Sequence, residues 1–155
     1  MSKIDIEKVK ELREMTGLSV IECKKALDQV EGDLNKAQEV LRAAGVELAE
    51  KKSTRVAGDG RIASYIHSTG KVGVLLELSS ETDFVARNEE FEKLAREICM
   101  QIASLSPKDV AELLAMDYIR DSSKTIQDLV TGAVSKLGEN IAVRRFVRFA
   151  VGEEL

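Results

Sequence analysis

Apolar positions in the first 45 residues fall at helical intervals and predict three short helices. In the first, Ile6, Val9 and Leu12 lie at steps of three and are expected to share a face, with Gly17 ending the pattern. The second opens at Ser19, which can cap it while Glu22 reaches back. Cys23, Ala26, Leu27 and Val30 then mark one apolar stripe, closed by Gly32. Asp33 caps the third, where Leu34, Ala37, Leu41 and Ala44 repeat the spacing up to Gly45. Helices this short are marginal alone, so residues 1–45 are expected to pack as one three-helix module. Residues 46–60, VELAEKKSTRVAGDG, are polar and small and read as a connector, helical at first and looser later.

From residue 61 the period changes to two. In RIASYIH, Ile62, Ser64 and Ile66 alternate with Ala63, Tyr65 and His67, and in VGVLLEL, Val72, Val74, Leu76 and Leu78 share a face. With STGK between them these predict a hairpin. A helix follows: Asn88 caps it, and Phe91, Leu94, Ala95, Ile98, Ile102 and Leu105 form its stripe. SPKD restarts a helix, with Ser106 as cap and the single proline, Pro107, at the first helical position. A last helix carries Leu129, Val130, Ala133, Val134 and Leu137 up to Gly138. The closing NIAVRRFVRFAV predicts a third strand, with Ile141, Val143, Val147, Phe149 and Val151 on one face, interrupted by Arg145. Residues 61–155 therefore read as an α+β core, three antiparallel strands packed with helices.

Composition removes several classes of function. With 32% charged residues and net charge −4, a soluble cytoplasmic protein is expected, and no apolar run reaches the ~20 residues a membrane span needs. A net negative chain is a poor direct nucleic-acid binder. RRFVRF interleaves arginines with aromatics, but on a strand both faces come out mixed, so these arginines are expected to edge the sheet and pair with acids. Cys23 and Cys99 sit in helical patterns and read as buried thiols. One histidine, His67, cannot build a histidine metal cluster, and no glycine-rich phosphate loop is present. No cofactor, metal ligand or covalent active site is expected.

One stretch resists this bland accounting. SSETDFVARN leaves Phe84 and Val85 between acids, after a strand and before a capped helix. Burying a phenylalanine is worth ~1.5–3 kcal/mol. An exposed Phe84 beside Asp83 therefore points either to a cap on the sheet's end or to another protein.

Three segments, MTGLSVIECKKAL (15–27), SSETDFVARN (79–88) and KLGENIAVRRF (136–146), resemble in order and spacing those of the elongation factor Ts family. These are bacterial guanine-nucleotide exchange factors for elongation factor Tu, and the resemblance covers essentially the whole chain. It implies that the three helices form a ubiquitin-associated-like docking module, with Val20, Ile21 and Lys24 at the contact. The family often carries methionines at Val20 and Ile21, so apolar character carries over rather than identity. It further implies that Asp83 and Phe84 enter the GTPase near its magnesium and phosphate site, with Thr82 and Val85 shaping the turn. Leu137, Gly138 and Lys52 match further contacts. Longer members hold a second half of the core and an inserted coiled coil. This chain resembles the short type, in which two copies supply what one long chain does, and a homodimer is implied, with His67 reaching the GTPase from the opposite copy. The alternative is a ubiquitin-associated adaptor or binding module without exchange activity.

Overall fold

The computed structural model describes residues 4–154. The fold is α+β, and the chain divides into two units, Met1–Lys51 and Lys52–Leu155.

In the first unit, helices α1 (Ile6–Thr16), α2 (Val20–Gln29) and α3 (Leu34–Lys52) surround a small core of Val9, Leu12, Cys23, Ala26, Leu27 and Ala37. The predicted capping box is present: Ser19 Oγ accepts from the Glu22 amide, and Glu22 Oε2 accepts from the Ser19 amide at 3.0 Å. Asp33 Oδ1 accepts from the Lys36 amide at 3.0 Å. Two expectations are corrected. Ile6 does not share the face of Val9 and Leu12 but is exposed. Two steps of three residues fall about 120° short of whole turns, which carries Ile6 round to solvent. Nor does α3 stop at Gly45, which is buried within the helix while Ala44 is exposed; α3 continues to Lys52. A helix tolerates an interior glycine at ~1 kcal/mol, so a glycine ends one only where the backbone turns left-handed.

In the second unit, β1 (Asp59–Ile66), β2 (Val72–Ser80) and β5 (Ala142–Ala150) form an antiparallel sheet in the order β1-β2-β5. Val74, Leu76 and Leu78 line its inner face under helix α5 (Glu89–Leu105), which buries Phe91, Leu94, Ala95, Ile98 and Ile102 against it. Helices α6 (Val110–Ala115) and α7 (Ile126–Leu137) complete that layer, with Leu113, Ile126, Val130 and Val134 buried. Asp109, not Ser106, caps α6, accepting from the Glu112 amide at 2.7 Å. Ser106 instead ends α5 in a left-handed conformation (φ 49°), so it cannot also begin a helix.

The third strand does not keep one face. Glu77 pairs with Arg145 but Leu78 pairs with Val143, so Arg144 is an extra residue in β5. One inserted residue inverts the alternation. Ile141 and Val143 face the core, whereas Val147 and Phe149 face outward beside Arg145. Arg145 pairs with Glu77 at 2.6 Å, and the inward Arg148 donates to the Ala103 carbonyl at 3.2 Å and pairs with Glu153 at 2.9 Å.

A short ribbon of β3 (Asp117–Tyr118) and β4 (Asp121–Thr125) lies between α6 and α7 and was not foreseen. Its sequence, DYIRDSSKT, has no alternation to reveal it. Tertiary contacts hold it: the buried Gln101 donates to the Asp117 carbonyl at 2.9 Å and accepts from the Ile119 amide at 3.0 Å. The Tyr118 hydroxyl donates to Glu97, and partial burial together with that carboxylate pushes the phenol up to about 12. Both cysteines are free and buried, and burial pushes the Cys99 thiol up to about 11.

Gly60, the second residue of β1, has φ 144°, and a Cβ there would lie 2.3 Å from the Leu78 carbonyl oxygen across the sheet. Gly60→Ala is expected to cost about 2–4 kcal/mol, through backbone strain and overpacking. Urea unfolding measures it; an unchanged midpoint contradicts the clash.

Candidate functional site

Strand β2 runs straight into the turn that holds the exceptional stretch. Ser80 is buried at its end, and Ser80 Oγ donates to the Thr82 carbonyl at 2.8 Å. Thr82 is extended and caps a single helical turn, α4 (Asp83–Ala86), its hydroxyl accepting from the Val85 amide at 3.4 Å. Within α4 the side chains divide sharply. Val85 is 6% exposed and Ala86 3%, while Phe84 is 79% exposed. The turn is therefore nailed to the core by its third and fourth residues, and it lifts Phe84 into solvent. Phe84 is not a cap on the sheet. Asp83 pairs with Arg87 one turn on at 2.9 Å, both largely exposed, an arrangement of little energetic weight.

A second segment closes on this turn from 57 and more residues away. Helix α7 ends at Gly138, left-handed with φ 76°, and the next residue delivers a carboxylate. Glu139 Oε2 accepts from the backbone amides of Glu81 (2.9 Å) and Thr82 (3.0 Å), and Oε1 accepts from the Thr82 hydroxyl (2.6 Å). The contact is reciprocal, because Glu81 Oε1 accepts from the Asn140 amide at 2.8 Å. Asn140 Nδ2 donates to the Arg55 carbonyl at 2.8 Å, and Arg55 lies 3.7 Å from the Glu81 carboxylate.

Thr82, Asp83, Phe84, Val85, Leu137, Gly138 and Lys52 all belong to this neighbourhood. The Lys52 ammonium donates to the Gly138 carbonyl, tying the start of the unit to the end of α7. Leu137 is half-buried, and Gly138 is exposed. His67 stands apart. The pairing of Asp59 with Ser80 and of Ile66 with Gly73 puts it at the other end of the hairpin. Nine residues of strand separate the two ends, about 25–30 Å. There His67 Nδ1 lies 3.1 Å from the Tyr65 hydroxyl. Sequence reasoning missed Glu81, Glu139 and Asn140 as parts of the site, although all three lie in segments that carry the family resemblance.

In the first unit, Val20 (51% exposed), Ile21 (67%) and Lys24 are exposed on the first two turns of α2, beside the buried stripe of Cys23, Ala26 and Leu27. Two neighbouring apolar side chains on the first turn of a capped helix are a usable docking patch. Met15, exposed just before the Gly17 turn, extends the apolar character and was also missed. Among the described residues no His, Cys, Asp and Glu group could hold a metal ion, and no helix is long and apolar enough to cross a membrane.

Comparison with known proteins identifies the family. The family described as Elongation factor TS matches residues 81–155, the stretch from Glu81 through the last strand. Elongation factor Ts of Thermoanaerobacter sp. (strain X514) is 40% identical over 195 residues, covering 97% of this chain and 96% of that protein. Elongation factor Ts of Anaeromyxobacter sp. (strain K) is 42% identical over 200 residues, covering 100% and 91%. That of Prochlorococcus marinus (strain AS9601) is 42% identical over 199 residues, covering 99% and 91%. These alignments are longer than the chain's 155 residues, so each relative carries residues with no counterpart here. The protein is thus a translation elongation factor, with a part in protein biosynthesis. More narrowly, the chain belongs to the elongation factor Ts family. The adaptor reading rested on the three helices alone, and the match over residues 81–155 lies outside them.

Because Phe84 touches little of its own fold, Phe84→Ala is expected to change stability by less than about 0.5 kcal/mol. Thr82→Val removes the hydroxyl shared by Glu139 and Val85 and is expected to cost about 1–2 kcal/mol. Parallel thermal melts separate the two; equal losses contradict the division between exposed ring and anchored cap.

Proposed function

We propose that the protein is a cytoplasmic guanine-nucleotide exchange factor for elongation factor Tu, and that it promotes GDP release by disturbing the GTPase's magnesium and phosphate site. The observation that carries this reading is Phe84, 79% exposed on a turn whose other apolar residues are buried. A ring kept in water by a rigid mount gains ~1.5–3 kcal/mol by entering a partner. In this reading Phe84 is a wedge and Asp83 stands beside it. Magnesium demands near-ideal octahedral geometry, so a shift of about 1 Å in the elements that carry its ligands or the phosphates loosens the nucleotide.

Linkage sets the energy required. Whatever the factor does to nucleotide affinity, the nucleotide does equally to the factor's affinity. Loosening GDP by ~10³-fold needs ~4 kcal/mol of coupling, more than one buried ring supplies. Additional contacts are required, and the three-helix module, residues 1–45, is assigned that task, with Val20, Ile21 and Lys24 as its contact. Leu137 and Gly138 add a second contact beside the wedge. Lys52 contributes by holding Gly138, to whose carbonyl it donates.

The factor acts as a homodimer in this reading. Its support is the outer face of the sheet, where Ile62, Ile66, Leu75, Val147 and Phe149 are all exposed on the single chain. A contiguous apolar face of this kind marks an interface. His67, at the far end of β1 from Phe84, is then assigned to the GTPase bound mainly by the other copy.

Phe84→Ala is expected to slow release of a fluorescent GDP from elongation factor Tu by at least about tenfold, with the fold intact. Stopped-flow release at the wild-type rate removes the wedge. Val20→Asp is expected to weaken complex formation instead, by about tenfold or more. Calorimetry against the nucleotide-free GTPase reads this, and unaltered affinity counts against the anchor.

A further inference from the structure

We infer that Glu139 is the positioning residue of the wedge: through Thr82 it sets the direction in which Phe84 is presented. The inference rests on the reading of Phe84 as the exchange-promoting side chain.

Phe84 is largely exposed, so no packing holds its side chain, and the backbone of α4 sets the position and direction from which the ring leaves the chain. A four-residue helix cannot hold itself, because one turn fixes more dihedral angles than its hydrogen bonds repay. Something outside α4 must hold it. On its inner side, burial of Val85 and Ala86 does so. On its leading side, the cap residue Thr82 has no apolar side chain to bury, and the strand has already ended.

Glu139 supplies the missing constraint. Its carboxylate takes three donors at 2.6–3.0 Å: the amide of Glu81, the amide of Thr82 and the Thr82 hydroxyl. That hydroxyl in turn accepts from the Val85 amide at 3.4 Å. The chain of contacts therefore runs from Glu139 through Thr82 into the turn that carries Phe84. Hydrogen bonds to an ionised acceptor are about twice as strong as neutral ones, and two of the three donors are backbone, so the lock acts on the main chain. The left-handed end of α7 at Gly138 and the Glu81 bond to the Asn140 amide keep Glu139 itself in register. A turn ordered in this way before binding spends less of the partner's binding energy on ordering.

The test measures fluorescent GDP release from elongation factor Tu with wild type, Glu139→Ala, Glu139→Gln, Phe84→Ala and the double variant Phe84→Ala/Glu139→Ala. Factor concentrations are raised until release by the Phe84→Ala protein exceeds the spontaneous rate. Glu139→Ala is expected to slow release about 10- to 100-fold. Glu139→Gln keeps the size and an acceptor oxygen, so it should fall between wild type and Glu139→Ala, and it serves if the alanine variant does not fold. In the Phe84→Ala background the loss of Glu139 should cost less than about twofold, since no wedge remains to be aimed. Amide hydrogen exchange at residues 81, 82 and 85 should accelerate in Glu139→Ala while the strand amides keep their protection. Near-wild-type release by both Glu139 variants overturns the inference, as does an equal penalty with and without Phe84, or unchanged protection of those amides. Wild-type release by Phe84→Ala alone sinks instead the reading on which the inference rests.

Discussion

Strand β2 ends at Ser80, and the amides of the next two residues, Glu81 and Thr82, lie beyond the ladder of strand pairing. Two carboxylates, Glu81 and Glu139, resolve this by serving each other's segment. Glu139 satisfies the amides of Glu81 and Thr82, and Glu81 satisfies that of Asn140. Each bond pairs a backbone amide with a carboxylate, the stronger class of hydrogen bond, so the two segments hold each other in place rather than simply touching. Everything assembled at this end of the sheet follows from that exchange: the cap at Thr82, the short helical turn, the anchored Val85 and the exposed Phe84.

The same end of the unit gathers the connector. Lys52 and Asn140 reach the carbonyls of Gly138 and Arg55, so the first residues of the unit are bound to the loop that carries Glu139. The loop after α7 is thus a junction of three segments, and its short sequence, Gly-Glu-Asn, supplies a backbone reversal, an anionic acceptor and a neutral donor in order. Each does something the other two residue types cannot. Only the glycine takes φ 76° without strain. The glutamate can accept from three groups at once, and the asparagine amide can donate to neutral carbonyls.

One residue decides what the third strand adds to the sheet's outer face. Without the bulge at Arg144, Val147 and Phe149 would follow Val143 into the core, and Arg144, Phe146 and Arg148 would take the outer positions. With it, they join Ile62, Ile66 and Leu75 outside. The ion pair of Glu77 with Arg145 sits in the same layer. A face that is apolar with an internal charge pair differs from the solvated back of an ordinary three-stranded sheet, where alternation puts polar residues.

Local chemistry was legible from the residues. Ser19 with Glu22, the α5 stripe from Phe91 to Ile102, and the hairpin about STGK depend on neighbours within a few positions, so spacing alone determined them. The family likeness, too, is carried by short ordered segments, one of which holds Phe84. What only the tertiary structure decided lies between distant positions. The β3–β4 ribbon exists because Gln101 bonds its backbone, the third strand changes face because its register against β2 slips by one, and Ser106 ends a helix because α5 needs a left-handed stop there. Glu139 was invisible for the same reason: its three donors lie 57 and 58 residues away. Periodicity records which side of an element faces inward, but which distant atom a carboxylate will meet depends on where the chain returns.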